Sequence, residues 1–285
     1  MSTLMPTTLN FPDLLNSNNE EKIDRIEIFL DSTKNVKFDQ FMNDLVNDTL
    51  WSTREKSSAK YKDLILDLSK YISDTSGIEP SYHNQNHFKD VCLSMTLLLR
   101  AQTEIVPLLA QSSPWKFSDQ EAWNLLLCAV CHDLGHDGSM NEHPFELEKR
   151  SVELVKKFLE KSSLTLFERK EIIGAIEPII LATDPRYLPT LLDKFVSGDN
   201  LQRSDYLSIL MVEADVLAST LPNKGIILGE QLSEEWLLSN PAAAAAVKTD
   251  KGRLYFLEHI RFISPQSHAL GIEDIRRISI NQVKE

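Results

Sequence analysis

The run Trp123–Cys131, WNLLLCAVC, is apolar except for Asn124, and it leads directly into His132-Asp133 with His136 four residues further on. A stretch this apolar must sit inside a core. An apolar helix that buries itself and then presents an adjacent His-Asp pair suits a metal site, because imidazole nitrogen and carboxylate oxygen are ligands for Zn²⁺, Fe or Mn²⁺. The carboxylate, with two oxygens, can also bridge to a second ion. The i,i+4 spacing predicts that His136 faces the same side as His132, and Gly135 and Gly138 then release the helix into a tight loop. Taken alone, the stretch is more simply a buried helix end with two hydrogen-bonded histidines.

Two further segments shift that balance. In Pro80–Val91, PSYHNQNHFKDV, the residues His83, His87 and Asp90 stand at i, i+4 and i+7. On a helix beginning after Pro80 all three share one face. A core face would carry Leu or Ile there, whereas two histidines and an aspartate make a moderately specific ligand pattern. Further on, Asp215 stands in the largely apolar run Ile209–Ala218. A carboxylate buried in such a run needs a partner, and a metal is one. The plainer alternative is an aspartate on the polar face of its helix.

Composition bounds the rest. Hydrophobic residues make up 42% of 285, enough for a sizeable core, and only 9 glycines and 12 prolines punctuate the chain. That favours a mostly helical protein. The net charge of −12 argues against a nucleic-acid backbone or an anionic membrane as the general partner. A small anionic substrate can still bind where metal ions supply local positive charge. Cys92, Cys128 and Cys131 form no paired-knuckle pattern, and Cys128 and Cys131 read as small hydrophobes packed in a core. Free thiols suggest a reducing, cytoplasmic setting. The N-terminal stretch lacks the basic and apolar regions of a secretory signal, and no apolar run is long enough to cross a bilayer.

Periodicity predicts helices over Glu20–Leu30 (capped by Ser17 or Asn18), Phe38–Leu50 and Tyr61–Ile72. It predicts further helices over Pro144–Leu159, Leu166–Leu181 with a kink at Pro178, from about Ser204 through Asp215, and over Lys251–Ile263. A turn is expected around 229–231. Residues 1–18 read as an extended lead-in and 19–285 as a single helical domain, since no internal repeat or linker divides the chain.

The distribution H…HD…D is the pattern of the HD metal-dependent phosphohydrolases. More narrowly, residues 60–262 resemble the catalytic domain of the class I 3′,5′-cyclic nucleotide phosphodiesterases. The matching text is Tyr82-His83-Asn84-x-x-His87-x-x-Asp90-Val91, His132-Asp133-x-x-His136-x-Gly138-x-x-Asn141, Leu181-Ala182-Thr183-Asp184 and Ala214-Asp215. The resemblance implies a compact, all-α multi-helix fold with a deep pocket over two divalent metals. The first, usually zinc, would take His87, His132, Asp133 and Asp215. The second, usually Mg²⁺ or Mn²⁺, would take Asp133 and mostly waters. It implies hydrolysis of a cyclic nucleotide (cAMP, cGMP or both) to the 5′-monophosphate by a metal-bridged hydroxide. His83 would be the general acid, oriented by Glu148, with Asp184 beside the hydroxide. Asn141 would contribute on the phosphate side, Tyr82 either there or by packing its ring at the pocket wall, while His136 and Asp90 would support the ligands from behind.

The family usually reads the purine with a glutamine and, three residues later, a phenylalanine that stacks on the base. Here the corresponding positions are Arg253 and Phe256. Arginine only donates, so it would favour guanine-like O6/N7 acceptors or an extra anionic group; its plain alternative is a surface charge on a terminal helix. The stretch Val216–Thr220 and the residues Leu134, Gly135 and Asp137 also depart from the usual family text. An HD-type phosphohydrolase acting on another phosphoester, and a catalytically silent metal-bound regulator, therefore stand as alternatives.

Overall fold

The computed structural model describes residues 9–54, 59–75, 77, 79–105, 112–198 and 200–285. Among them are sixteen helices and no strand. In chain order they are α1 Phe11–Asn16, α2 Asn19–Asp31, α3 Phe38–Val46, α4 Thr49–Ser52, α5 Ala59–Thr75, α6 Gln85–Ile105, α7 Asp119–Cys131 and α8 Glu146–Glu160. The second half holds α9 Leu166–Leu181, α10 Leu188–Ser197, α11 Arg203–Thr220, α12 Pro222–Trp236, α13 Pro241–Val247, α14 Asp250–His259, α15 Pro265–Leu270 and α16 Ile272–Lys284.

Four helices make the centre. α6, α7 and α11 pack mutually, and α9 covers α7 and α11. Trp123–Cys131 is buried without interruption, its one polar residue Asn124 included. The start of α7 is fixed by a capping box, in which the Ser118 side chain accepts from Glu121 N and the Glu121 carboxylate accepts from Ser118 N. Trp51 from α4 meets Trp123 with ring centroids 5.1 Å apart. Each large apolar side chain buried this way stabilises the fold by about 1.5–3 kcal/mol. All three cysteines are buried free thiols.

Several local expectations change. Residues 11–16 of the expected extended lead-in form α1, because Pro12 suits a first helical turn and Phe11 and Leu14 find burial. Residues 1–8 lie outside the described residues. Asn18 caps α2 by accepting from Glu21 N at 3.0 Å. The expected turn at 229–231 is helical, within α12: Gly229 and Glu230 follow Pro222 at the helix start without a break. The last expected helix, 251–263, ends at His259, and α15 and α16 follow it. Pro178 lies inside α9 as predicted.

Candidate active site

Asn84 decides where α6 begins. Its Oδ1 accepts from Asn86 N at 2.8 Å, the bond of an N-cap, and its Nδ2 donates back to Ser81 O at 2.8 Å. His87 and Asp90 are therefore on the helix, as predicted, but His83 is not: it sits in the turn before the cap. The three do not share one helical face. At the other motif α7 ends at Cys131, with His132 at the C-cap. Gly135 then turns the chain at φ +77, and a Cβ there would meet Leu154 Cδ1 at 2.3 Å. The turn carries His136 off the helix, so it does not stand one helical turn above His132.

α11 packs along α6, and this brings Asp215 to the two histidines. His87 Nε2 is 3.2 Å from Asp215 Oδ1 and 3.3 Å from Asp133 Oδ2. His132 Nε2 is 3.4 Å and 3.0 Å from the same two oxygens, and 3.3 Å from His87 Nε2. Both histidines are buried, whereas the Asp133 and Asp215 side chains stay 14% and 19% exposed, so the cluster opens to solvent on its carboxylate side.

The donor set fits a divalent metal. His132 Nδ1 lies 3.3 Å from Ala129 O and donates its proton there, which leaves the Nε2 lone pair aimed at two carboxylate oxygens. Such a gathering of electron-rich atoms repels unless cations or protons sit among them. A metal bound at about 2.0–2.2 Å from each donor leaves neighbouring donors about 3.0–3.5 Å apart, the spacing seen here. Protons can also fill the gap. Burial opposes the imidazolium of His87, yet Asp133 and Asp215 outweigh it and raise its pKa to about 9; His132 is raised for the same reasons. Burial opposes ionisation of Asp215, yet His132 and His87 bring it to about 2, and Asp133 is held well below the usual carboxylate range by His132 and His83.

His83 faces this cluster, its Nε2 3.9 Å from Asp133 Oδ2. Its Nδ1 is 2.5 Å from Glu235 Oε1, and Glu235 Oε2 accepts from the backbone N of Tyr82 and His83 at 2.8 and 2.9 Å. Glu235 is thus the residue that orients His83. Burial would raise its pKa, but the contacts with His83 outweigh burial and lower it. Sequence reasoning missed Glu235 because nothing in the run Ser233–Trp236 marks it out. His136 stacks on His83 with ring centroids 3.6 Å apart and planes 19° apart, and its Nδ1 accepts from Gly138 N. Burial, and the neighbouring charge of His83, bring His136 down to about 4, so it stays neutral.

Glu148, the expected orienter of His83, is placed elsewhere. Both of its oxygens accept from Asn141 Nδ2, at 3.1 and 3.0 Å, and Asn141 Oδ1 accepts from Leu147 N. Burial raises the Glu148 pKa, and the charges of Asp184 and Asp133 add to that. Asp184 is 1% exposed with both oxygens occupied: Oδ1 accepts from Arg186 N and Oδ2 from Phe145 N, and the Arg186 guanidinium reaches both. Asp90 pairs with Lys224 Nζ at 3.0 Å, behind the site.

The residues expected on the substrate side are less available. The Tyr82 hydroxyl bonds Ser219 Oγ at 3.1 Å, and its ring lies against His83 and His87. Arg253 donates to Leu221 O at 2.9 Å and more distantly to Ser219 O and Pro222 O. Its guanidinium therefore braces the junction of α11 and α12, where Leu221 O also accepts from Gly225 N, and burial lowers its pKa. Phe256 is half-buried and packs against the core.

The model of the 3′5′-cyclic nucleotide phosphodiesterase family matches residues 82–226, just over half of the chain. That span holds His83, His87, His132, Asp133, Asp184 and Asp215, while Glu235 and Arg253 fall beyond it. The fold is similar to that of LmjPDEB1, solved in complex with IBMX, with a TM-score of 0.69 and 15% identity over 98% of each chain. No curated protein matches the sequence at a significant level. Among the described residues, no helix is long and apolar enough to cross a membrane.

Proposed function

The chain belongs to the 3′5′-cyclic nucleotide phosphodiesterase family and is a hydrolase of that kind, and we propose that it opens the cyclic phosphate of cAMP, cGMP or both to give the 5′-monophosphate. The observation that carries this reading is the placement of His83, tied to Glu235 through one ring nitrogen with the other turned toward Asp133.

His87, His132, Asp133 and Asp215 would hold the first divalent ion, with the two-nitrogen, two-oxygen set that suits Zn²⁺. The oxygen-rich ground around Asp133, Glu148 and Asp184 would favour Mg²⁺ or Mn²⁺. Such a pair of ions supplies an activated water and offsets charge on the phosphoryl oxygens. His83 provides the proton for the departing O3′ from Nε2. Glu235 accepts the Nδ1 proton and so fixes the tautomer and the ring direction. The neutral His136 ring packs on His83 without adding a second positive charge. Asp184 and Glu148 would add negative charge beside Asp133, with Asn141 holding Glu148. Tyr82 contributes ring packing to the wall. The buried free thiols agree with a cytoplasmic enzyme.

The test is hydrolysis of cAMP and cGMP by purified protein with Mg²⁺ or Mn²⁺, with chelator as control. Metal-dependent release of the 5′-monophosphate is expected, and IBMX, which LmjPDEB1 binds, is the first inhibitor to try. No release from either nucleotide by metal-loaded protein would overturn the reading and turn the site toward another phosphoester.

A further inference from the structure

Arg186 lies in the turn Thr183–Tyr187 between α9 and α10, with its side chain 47% exposed. Its guanidinium nevertheless makes contacts in two directions. Nε and Nη2 reach the two oxygens of Asp184 at 3.3 and 3.2 Å, and Nη2 donates to His143 O at 2.6 Å. His143 belongs to the segment that joins Asn141 to α8. Asp184 grips the same segment from the other side, accepting from Phe145 N at 2.8 Å. Phe145 is held at φ 63, in the left-handed region that residues with a Cβ avoid. Its ring lies against Tyr187 with centroids 5.5 Å apart. Directly beyond this held turn come Leu147 N, which donates to Asn141 Oδ1, and Glu148, which accepts from Asn141 Nδ2.

We propose that Arg186 is a positioning residue: it clamps the 143–145 turn onto Asp184 and so sets Asn141 and Glu148 for the second divalent ion. Two features separate this from an ordinary exposed ion pair, which contributes little. Asp184 is buried, so its charge needs the cation beside it. The guanidinium also spans a carboxylate and a backbone carbonyl of another segment at once, a fork that a lysine ammonium cannot reproduce. When the clamp is removed, the 143–145 turn keeps only the bond from Phe145 N to Asp184, and the start of α8, which carries Glu148, is free to shift.

The inference rests on the two-metal reading of the site, and its test is arranged so that the two can fail separately. Protein carrying one equivalent of Zn²⁺ is titrated with Mn²⁺ in the absence of nucleotide, and free Mn²⁺ is followed by electron paramagnetic resonance. Arg186→Gln should weaken Mn²⁺ binding about tenfold or more, the range seen when an outer partner of a metal site is lost. Arg186→Lys should fall between it and the parent. Zinc content should stay near the parent value, the melting temperature should fall because buried Asp184 loses its cation, and amide exchange over residues 139–147 should quicken in Arg186→Gln. Unchanged Mn²⁺ affinity in Arg186→Gln overturns the proposal, as does a parent protein that takes up no second ion. If the parent binds Mn²⁺ as expected but hydrolyses neither cAMP nor cGMP, the activity reading falls and the clamp stands.

Discussion

Glu235 Oε1 lies 2.5 Å from His83 Nδ1, across 152 positions of sequence. The same carboxylate also accepts from the backbone N of Tyr82 and His83, so it fixes the turn as well as the ring. Glu235→Gln should lower kcat by about a hundredfold or more while metal content, read by mass spectrometry, stays at the parent level. His83→Ala should do the same. Because one residue acts through the other, the double variant should lose no more than His83→Ala alone. Losses that multiply in the double variant would sink the pairing.

Gly138 adopts φ +81, and a Cβ there would lie 2.9 Å from Glu235 Cγ. Gly138→Ala should therefore displace Glu235 and cut activity, besides costing about 1–2 kcal/mol for the left-handed backbone. Gly198, at the C-terminus of α10, has φ +71 with nothing within 4 Å of the added atom. Gly198→Ala should show a similar stability loss in thermal melts with activity retained. Equal activities in the two variants would argue against the steric account.

The two histidines give the metal-free protein its own pH dependence. The folded pKa of His87, about 9, lies above the ordinary 6.5. The stability it contributes is therefore fully present below about pH 6.5 and lost as pH rises through about 9. Chelator-treated protein should melt at lower temperature at pH 9 than at pH 6.5. Metal-loaded protein should not show that loss, because the ion takes the protons' place. Metal uptake at pH 7 should accordingly release about two protons, measurable by calorimetry in buffers of different ionisation enthalpy. Uptake with no proton release would mean that the histidines are neutral beforehand.

Glu213, two residues before Asp215, is buried and accepts from Ile263 N, Ser264 N, Ser264 Oγ and Ser267 Oγ at 2.5–2.9 Å. It ties α11 to α15. Glu213→Ala strands these donors, and at about 1–3 kcal/mol for each unsatisfied buried group the loss should exceed 3 kcal/mol in denaturant melts. Glu213→Gln keeps an acceptor, and the serine hydroxyls can reorient, so it should lose less. A neutral Glu213→Ala would deny the network its structural role.

Arg253 donates to carbonyls at the junction of α11 and α12. Arg253→Ala should therefore lower stability by about 1 kcal/mol and leave the ratio of cGMP to cAMP hydrolysis where it was. A changed ratio would restore the base-reading role that its position in the sequence suggests.

What the sequence determined by itself was local. The uninterrupted apolar run of α7 requires burial, and His132-Asp133 at its end, His87 and Asp90 one turn apart, and Asp215 in an apolar helix all follow from residue type and helical period. The family resemblance added the order of these parts, and with it the metal chemistry. Tertiary structure decided the rest. His83 left the helix because the Asn84 side chain caps α6 one residue later. Glu235 lies on a helix read as interrupted at 229–231, and only the docking of α12 beside the Tyr82–Asn84 turn makes it the partner of His83. Arg253 stands where a base reader was expected, but the α11–α12 junction lies within its reach and its carbonyls take the guanidinium. Spacing within a helix follows from its 3.6-residue period and is legible in short windows. Which side chain meets another across 152 positions depends on how whole helices pack, and no short window of sequence carries that.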